Sequence, residues 1–473
     1  MKIRSLKFGG TSMGSAASIM EGADIVKEKL RVSQVIVTVS AVGGTTDQLV
    51  KIIDLARKQK PKLINIIILQ MERLHKNILS EIVKNEVAVD QIWEKRFKPM
   101  FLKLRTIAQG SSLVGDLTSK TEARICAFGE KLSSYLMDMA LEGVGVKSVC
   151  VESEKIIRTD SNYLKAEVNF KSTSSACRKV LKPLILGGTT PVVTGFIGKD
   201  THGNVTLLGR GGSDYTASIL AMAFQAEAIE IWTDVDGIMS ADPRIVKEPV
   251  FWKNVDIHLM SEIVYSGAKV VYPYTIELAI KKNIPVYVYN TFNRKSPGTK
   301  ITTKETKNVK SIISDSKNII LVIEHPSIVN HVGFLARVTT IVKKYNVSMD
   351  VCSTSETSFA FSMRGEDLNM KMVKDLKEFA YVKIIKKITK LSVISKGIVK
   401  DLRFVASIFD LCATHNIDVH GVSASGSYIN FTILIDDRNK IKAVQLLHDR
   451  MFVGEKISNG EPKPSFNVKA IEN

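Results

Sequence analysis

Apolar, mostly β-branched runs alternate with amphipathic stretches through residues 1–290. The runs that are typical of buried strands lie at residues 3–8, 35–39, 147–151, 192–196, 228–233 and 285–289. Between them, apolar residues repeated every three or four positions predict helices at 15–31, 49–58, 62–109, 123–141 and 213–224. Continuous apolar strands separated by helices indicate an α/β fold with a mostly parallel sheet between two helical layers. Ligands of such sheets bind at the carboxyl ends of the strands.

The pattern changes after the polar, turn-rich stretch NRKSPGTK at residues 293–300. Strands are predicted at 319–323, 348–353, 357–363, 382–388, 389–395, 418–423 and 428–435, and helices at 333–345, 368–379, 401–415 and 438–450. This is the ferredoxin-like order β-α-β-β-α-β, written nearly twice. We therefore predict a first domain at 1–295, a linker at 296–318, and two smaller domains at 319–388 and 389–473.

Composition excludes several classes of protein. The chain has 473 residues, of which 45% are hydrophobic and 24% charged, so it is neither a fibrous nor a disordered protein. Its five cysteines form no C-x-x-C pair, which indicates free thiols in a reducing compartment. No apolar run approaches the roughly 18 residues of a membrane helix, and the N-terminus lacks a signal-peptide pattern. We expect a cytoplasmic protein without membrane contact.

The formal net charge of +18 is compatible with nucleic acid, an anionic membrane or anionic small substrates. The basic residues are scattered, and the sequence has no zinc-finger spacing, RNP-type motif or basic amphipathic helix with aromatic anchors. We interpret the charge mainly as a solvated surface and predict no nucleic-acid partner.

The first glycine-rich turn, KFGGTSMGS at residues 7–15, follows a predicted strand and precedes a helix. Backbone amides of such a turn can approach an anion closely. Gly9 and Gly14 have P-loop spacing, but Ser15 stands where a P-loop has lysine. The turn also matches the G-x-S-x-G elbow of hydrolases, which requires several preceding strands that this chain lacks. An ordinary strand–turn–helix connection remains an alternative.

Further strand ends carry glycine, hydroxyl and charged residues: SAVGGTTD at 40–47, LGRGGSDYTA at 208–217, WTDVDG at 232–237 followed by ADPR at 241–244, and SGAKV at 266–270. Each one alone can be a structural turn. Together with the cations Lys7, Arg210, Arg244 and Lys269, they describe a cleft for phosphate groups. Phosphoryl transfer needs such parts, because its catalysis is mostly positioning and charge neutralisation.

Four of these motifs, KFGGTS at 7–12, GRGGSD at 209–214, WTDVDG at 232–237 and GAKV at 267–270, resemble the signature set of aspartate kinases. The resemblance extends to paired ACT domains that interleave, with residues 309–313 as the displaced strand. It implies the amino-acid-kinase fold and ATP-dependent phosphorylation of the L-aspartate β-carboxylate to 4-phospho-L-aspartate, the first step towards lysine, threonine and methionine. It further implies ATP with Mg²⁺ as a substrate complex, no tightly bound cofactor and no metal-binding residue.

The resemblance also implies residue roles. Lys7 would stabilise the transferring phosphoryl group, and Asp214 with Glu130 would hold the substrate ammonium. The remaining substrate-binding residues would be Ser40, Ala41, Thr46 and Arg210, and the ATP-binding residues Lys7, Gly9, Gly10, Thr233, Asp234, Met239, Arg244 and Lys269. Met239 replaces a tyrosine that is frequent in lysine-sensitive members. No general base is needed, because an aspartate β-carboxylate with a pKa of about 3.9 is already ionised at neutral pH.

In the first ACT unit, the motifs VGFLA at 332–336, SMD at 348–350 and TSE at 354–356 are similar to the effector site of lysine-inhibited aspartate kinases. The implied effector-binding residues are Gly333, Phe334, Leu335, Ser348, Met349, Asp350, Ser355 and Glu356. Ile328 and His331 differ from the usual methionine and serine. We expect L-lysine as the effector and a homo-oligomer, at least a homodimer, formed through the ACT domains. The alternative interpretation is that the carboxylates Asp350 and Glu356 are only solvated residues at the edge of the sheet.

Two other functions remain open. One is a kinase of the same fold that acts on glutamate or a nucleotide, against which the trio Glu130, Arg210 and Asp214 argues. The other is a non-enzymatic amino-acid sensor, which would not need to retain Lys7 and Asp214. The chain carries no dinucleotide fingerprint, so we expect a monofunctional kinase.

Overall fold

A computed structural model describes residues 2–268, 270–325 and 333–452. The strands, numbered in chain order, are β1 Ile3–Phe8, β2 Gln34–Val39, β3 Ser148–Val151, β4 Thr190–Thr194, β5 Ile197–Lys199, β6 Val205–Leu207, β7 Ala228–Thr233, β8 Ile238–Met239, β9 Phe251–Trp252, β10 Asn254–Asp256, β11 Val286–Asn290, β12 Thr299–Thr302, β13 Lys310–Glu324, β14 Cys352–Thr354, β15 Ser358–Arg364, β16 Tyr381–Ser395, β17 Val419–Ala424 and β18 Asn430–Asp436. The α-helices are α1 Ala16–Lys29, α2 Thr45–Arg57, α3 Pro61–Val83, α4 Glu86–Ile92, α5 Lys98–Val114, α6 Ser119–Cys126, α7 Phe128–Gly143, α8 Phe170–Leu186, α9 Gly212–Phe224, α10 Ile257–Tyr265, α11 Pro273–Lys282, α12 Phe334–Lys344, α13 Met370–Lys377, α14 Leu402–Thr414 and α15 Lys440–Phe452.

The described residues separate into two compact units. Residues 2–238 and 270–303 form the first unit, and residues 239–268, 304–325 and 333–452 form the second. The segment 239–268 thus groups with the C-terminal half of the chain, although it follows β7 in sequence. The domain limits derived from composition stay a prediction.

A largely parallel sheet organises the first unit. Its strands lie in the order β12–β11–β7–β1–β2–β4–β3, and only β12 runs antiparallel, against β11. Leu6 and Phe8 of the central strand β1 are fully buried, whereas Arg4 and Lys7 of the same strand are half-buried. The predicted α/β class is confirmed. The carboxyl ends of β1, β2 and β7 meet at one edge, where the glycine-rich loops begin.

The long helical stretch predicted at 62–109 is helical in the structure, but it is divided into several helices. The structure contains α3, α4 and α5 in its place, with a π-helical turn at Trp93–Phe97 before α5. Helix α3 ends where Lys84 adopts a left-handed conformation with φ of 55°. Helix α4 then restarts because the Asn85 side chain accepts a hydrogen bond from the backbone N–H of Ala88.

The second unit is built on an antiparallel sheet in the order β14–β15–β13–β16–β18–β17. Strands β13 and β16 each have 15 residues and pair from Lys310↔Ser395 to Glu324↔Tyr381, with irregularities near Asp315 and Asn318. The halves of these strands serve the two ferredoxin-like units, so the fold class is confirmed. The strands predicted separately at 382–388 and 389–395 are one continuous strand. In the part of the chain that the structure describes, no helix is both long and apolar enough to cross a membrane.

Candidate active site

An ion pair lies at the carboxyl edge of the parallel sheet. Lys7 projects from the central strand β1, and its Nζ is 2.6 Å from Oδ1 of Asp214, in the first turn of α9. The two side chains are only 12% and 11% exposed. The attraction within a partly buried ammonium–carboxylate pair is screened less than that within a surface pair. The structure therefore brings the two predicted catalytic residues into contact.

The turn after β1 passes close to the neighbouring strand ends. The backbone N–H of Gly9 donates to the Trp232 carbonyl over 3.0 Å. A Cβ placed on Gly9 would lie 3.6 Å from Lys7 Nζ, and one on Gly10 would lie 3.5 Å from the Ala41 carbonyl oxygen. Both distances are ordinary van der Waals contacts, so the role of Gly9 is to leave the space beside the Lys7 ammonium free of a side chain, which lets an anion approach the backbone.

Glu130 lies in the first turn of α7 and is 5% exposed. Burial raises the pKa of its carboxyl to about 8, although hydrogen bonds from the backbone of Glu130 and Ala41 and the Lys7 ammonium act in the opposite direction. Ser133 Oγ donates to the Ser40 carbonyl over 2.7 Å and ties α7 to the end of β2. An ammonium ligand beside Glu130 would favour the ionised carboxylate.

The loop before α9 is shaped by glycines and by Tyr272. Gly211 caps the helix with φ of 70°, and a Cβ there would lie 2.0 Å from Tyr272 Cγ. The backbone N–H of Tyr272 donates to Asp214 Oδ2 over 3.2 Å. Arg210 is exposed on the same loop. The two oxygens of Asp214 thus face Lys7 and Tyr272. Sequence reasoning missed Tyr272, whose only signal is its place just after the GAKV motif.

The end of β2 holds three predicted substrate residues. Ser40 is half-buried, Ala41 is buried and Thr46 is exposed in the first turn of α2. The neighbouring Thr45, which sequence reasoning missed, is fully buried, and its Oγ1 has no hydrogen-bond partner among the described residues. Its methyl group faces Gly129, the residue before Glu130. Thr45 is therefore a further candidate for contact with a ligand.

The end of β7 carries Thr233 and Asp234. Thr233 Oγ1 donates to Asp234 Oδ1 over 3.1 Å, and the Asp234 side chain is exposed. The next carboxylate, Asp236, accepts hydrogen bonds from the amides of Asn290 and Asn293 at 2.8 and 2.9 Å. Asp236 fixes this turn, and Asp234 remains available to solvent.

The other predicted nucleotide residues do not belong to the first unit. Met239 and Arg244 lie in the second unit, and Lys269 lies outside the described residues. Arg244 is exposed and pairs with Asp242, with 2.7 Å between Nη2 and Oδ2. This hydrogen-bonded guanidinium lowers the pKa of Asp242.

The predicted effector residues lie at the start of α12 and in the segment that contains β14. Gly333 caps α12, Phe334 is buried in the core, and Leu335 is exposed. The Asp350 carboxylate, 33% exposed, is paired at 3.0 Å with Nζ of Lys390, which is 10% exposed. The rest of the set is half-buried or exposed: Ser348, Met349, Ser355 and Glu356. Ile328 and His331 lie outside the described residues.

No group of three or more His, Cys, Asp or Glu side chains suited to a metal ion occurs within residues 2–268, 270–325 and 333–452. The charged groups at the sheet edge, Lys7, Glu130 and Asp214, instead suit a ligand that combines an ammonium group with negatively charged oxygens.

Comparison with known proteins adds independent findings. The sequence profile of the amino acid kinase family matches residues 3–290, and an ACT domain profile matches residues 391–451. Aspartokinase 1, chloroplastic, of Arabidopsis thaliana is 28% identical over 98% of this chain and 84% of its own length. The lysine-sensitive aspartokinase 3 of Escherichia coli is 27% identical over 94% of this chain and 98% of its own length. A bifunctional aspartokinase/homoserine dehydrogenase of Buchnera aphidicola is 29% identical over 95% of this chain, which spans 57% of that longer protein.

Among solved structures, E. coli aspartokinase III in complex with aspartate and ADP (R-state) matches with a TM-score of 0.82 and 25% identity. The match covers 96% of this chain and 100% of that chain. The same enzyme in complex with lysine and aspartate (T-state) matches with a TM-score of 0.79 at 25% identity, covering 95% and 99%.

Proposed function

The chain belongs to the amino acid kinase family, and we propose that it transfers the γ-phosphoryl group of ATP to the β-carboxylate of L-aspartate. The product is 4-phospho-L-aspartate, and the enzyme is a phosphotransferase with a carboxyl group as acceptor. The observation that carries the proposal is the Lys7–Asp214 pair beside the buried Glu130 at the carboxyl edge of the sheet.

Lys7 acts on the phosphoryl group. Its ammonium, together with the backbone amides of Gly9 and Gly10, neutralises the negative charge that spreads over the transferring oxygens. The acceptor carboxylate is already ionised at neutral pH, so no residue has to remove a proton from it. Without ligand, the Lys7 ammonium is neutralised by Asp214. A bound substrate ammonium compensates the same carboxylate and leaves Lys7 for the phosphoryl group.

Three charged residues select the amino acid. Glu130 and Asp214 receive the ammonium group, and Arg210 binds the α-carboxylate through its planar guanidinium. Ser40, Ala41 and Thr46 line the same pocket. Because Glu130 is protonated in much of the unliganded enzyme at neutral pH, binding of the ammonium releases a proton from its carboxyl.

ATP enters as a complex with Mg²⁺, which we treat as part of the substrate. Thr233 and Asp234, at the end of β7, contribute to its binding. Met239 and Arg244 are assigned to the same role from their motifs only. Lys269 is assigned to the same role from its motif. The thioether of Met239 offers a soft apolar contact where lysine-sensitive relatives often carry a tyrosine.

Lysine inhibits the enzyme through the second unit. Asp350 and Glu356 suit the ammonium groups of a free amino acid, with Ser348 and Ser355 as hydrogen-bonding neighbours. Asp350 already holds the ammonium of Lys390, so a lysine effector exchanges one ammonium for another at this carboxylate. The enzyme works in the cytoplasm as a homo-oligomer that pairs through its ACT domains.

A hydroxamate assay tests the reaction directly. Hydroxylamine traps acyl phosphates, so purified protein with L-aspartate and MgATP should give aspartyl hydroxamate only when both substrates are present. Asp214→Asn should abolish the signal. Asp54→Asn, which removes an exposed carboxylate paired with Lys58, is the matched control and should keep full activity.

A substrate panel separates the alternatives. Hydroxamate with glutamate but not with aspartate would contradict the substrate assignment. A folded protein that binds nucleotide but phosphorylates neither amino acid would favour the sensor interpretation.

A further inference from the structure

The glycine-rich turn after β1 is held at its far end by a buried pair of hydroxyl groups. Ser12 and Thr291 are both fully buried, and the distance between Ser12 Oγ and Thr291 Oγ1 is 2.7 Å. Ser12 ends the motif KFGGTS, whereas Thr291 directly follows β11, 279 positions later in the sequence. Both residues belong to the first unit. The pair therefore joins the turn to the end of a strand that lies on the other side of β7.

The other contact of Ser12 defines the direction of this hydrogen bond. The Ser12 hydroxyl donates to the Trp232 carbonyl over 3.2 Å. Because a serine hydroxyl has a single hydrogen, Thr291 is the donor in its contact with Ser12. The hydrogen bonds thus form a chain from the Thr291 hydroxyl through the Ser12 oxygen to the Trp232 carbonyl. Each bond of such a buried chain polarises and strengthens the next one.

The Trp232 carbonyl also holds the near end of the turn. The backbone N–H of Gly9 donates to the same oxygen over 3.0 Å, and the backbone N–H of Met13 donates to the Gly9 carbonyl over 3.0 Å and closes the turn. Residues 9–12 are consequently attached at both ends to one acceptor on β7. A Cβ placed on Gly9 would lie 3.6 Å from Lys7 Nζ, so the place of this turn decides what surrounds the Lys7 ammonium.

Thr291 is held in place by the neighbouring strand. Its backbone N–H donates to the Thr233 carbonyl over 2.9 Å, and β11 pairs in parallel with β7 up to Asn290↔Thr233. The hydroxyl that contacts Ser12 therefore starts from a fixed point of the sheet. Its loss affects Ser12 directly, whereas Glu130 and Asp214 lie in the first turns of other elements, α7 and α9.

We propose that Thr291 is a positioning residue for phosphoryl transfer, which fixes the turn at residues 9–12 against β7 through the Ser12 hydroxyl. The inference rests on the proposed function, in which this turn and Lys7 receive the phosphoryl group of ATP. Thr291 is fully buried and touches neither substrate. It acts only through Ser12, so its loss changes the place of the turn and removes no charged group from the site.

Thr291→Val tests this role, because valine keeps the approximate shape of threonine and lacks the hydroxyl. Ser12 then loses its donor, and we expect kcat/KM for ATP to fall about tenfold, since a small displacement of the reacting groups slows the reaction strongly. KM for aspartate should stay within about twofold of wild type, because the groups that receive its ammonium lie on α7 and α9. Thr291→Ser retains the hydroxyl and should restore most of kcat/KM for ATP.

A double-mutant cycle tests whether the two hydroxyl groups act as one unit. Ser12→Ala removes both side-chain hydrogen bonds of the chain, and it should lower kcat/KM for ATP at least as much as Thr291→Val. The double variant should be no slower than Ser12→Ala alone, because Thr291 acts only through Ser12. If the Thr291→Val protein does not fold, as judged by thermal unfolding, Ser12→Ala removes the contact from its other end and carries the same expectation.

Thr432→Val is the matched control. Thr432 is buried in the second unit, and its Oγ1 lies 2.7 Å from Ser392 Oγ. Its replacement breaks an equivalent hydroxyl pair and should leave kcat/KM for ATP unchanged. An unchanged kcat/KM for ATP in Thr291→Val, a serine variant as slow as the valine variant, additive losses in the double variant, or an equal rise in KM for aspartate would overturn the proposal.

Binding of MgATP without aspartate distinguishes failure of the inference from failure of the proposed function. Calorimetric titration with MgATP needs no acceptor substrate. In a protein that yields no aspartyl hydroxamate, weaker MgATP binding by Thr291→Val and not by Thr291→Ser would refute the reaction and support the positioning role. In an active kinase, equal kcat/KM for ATP in wild type and Thr291→Val would refute the positioning role alone.

Discussion

Replacing Glu130 by glutamine should flatten the pH dependence of aspartate binding. Burial raises the pKa of this carboxyl from 4.5 to about 8, so the unliganded site mostly holds a neutral acid at neutral pH. The substrate ammonium is bound well only by the ionised form. Aspartate must therefore displace a proton before it binds, and the apparent affinity increases as the pH approaches the pKa.

The magnitude follows from the ionised fraction. With a pKa of about 8, the ionised fraction grows from about 3% at about pH 6.5 to about 76% at about pH 8.5, a ratio of about 25. The wild-type KM for aspartate should fall by about that factor over this range. KM of Glu130→Gln should be higher than the wild-type value at about pH 8.5 and nearly independent of pH, because glutamine does not titrate.

The raised pKa of Glu130 also makes the free energy of unfolding depend on pH. The folded pKa lies above the unfolded one, so the stability that Glu130 contributes is fully present below pH 4.5 and is lost as the pH rises to about 8. Over this whole pH range, the free energy of unfolding falls by about 5 kcal/mol. Denaturant unfolding at several pH values should show a smaller loss for Glu130→Gln than for wild type.

The assay is steady-state ADP release at saturating MgATP, with aspartate varied at each pH. Glu142→Gln, on the exposed side of the same helix, is the matched control and should keep the wild-type profile. A wild-type KM that stays constant over this pH range, or a Glu130→Gln variant with the wild-type slope, would refute the reasoning.

Three further predictions concern the other charged residues. Lys7→Ala should lower kcat by about two to three orders of magnitude with little change in KM for ATP; an unchanged kcat in steady-state assays would remove Lys7 from the reaction. Arg210→Ala should raise KM for aspartate by about tenfold or more, since a bidentate carboxylate contact is lost, and a rise in KM for ATP of the same size would contradict this role. Asp350→Ala should relieve inhibition by lysine without loss of activity, whereas Lys390→Met should lower the half-inhibitory lysine concentration about fivefold, because Lys390 no longer competes for the Asp350 carboxylate. Dose–response curves for lysine measure the effect of each of these two variants on inhibition. If neither variant changes the inhibition, the effector binds elsewhere.

The local features of the fold are largely predictable because they depend on neighbouring residues. The pattern of residues 3–8 indicates a buried strand, which the structure contains, and Gly9 after it leaves the space beside the Lys7 ammonium free of a side chain. Helix α8 was missed, because its buried face at Thr173, Cys177 and Leu181 is weakly apolar and Pro183 lies inside it. The helix break at Lys84 was missed because lysine rarely signals a left-handed cap.

The sequence by itself determined the class of chemistry, because the cations, carboxylates and glycines at the strand ends are readable as short motifs. Only the tertiary structure decided how these groups act on one another. The raised pKa of Glu130 results from burial, and the Lys390–Asp350 and Thr291–Ser12 contacts join residues 40 and 279 positions apart. Periodicity and spacing report what surrounds a residue along the chain. Desolvation, ion pairing and the sharing of β13 and β16 by the two ferredoxin-like units depend on residues that only folding brings together.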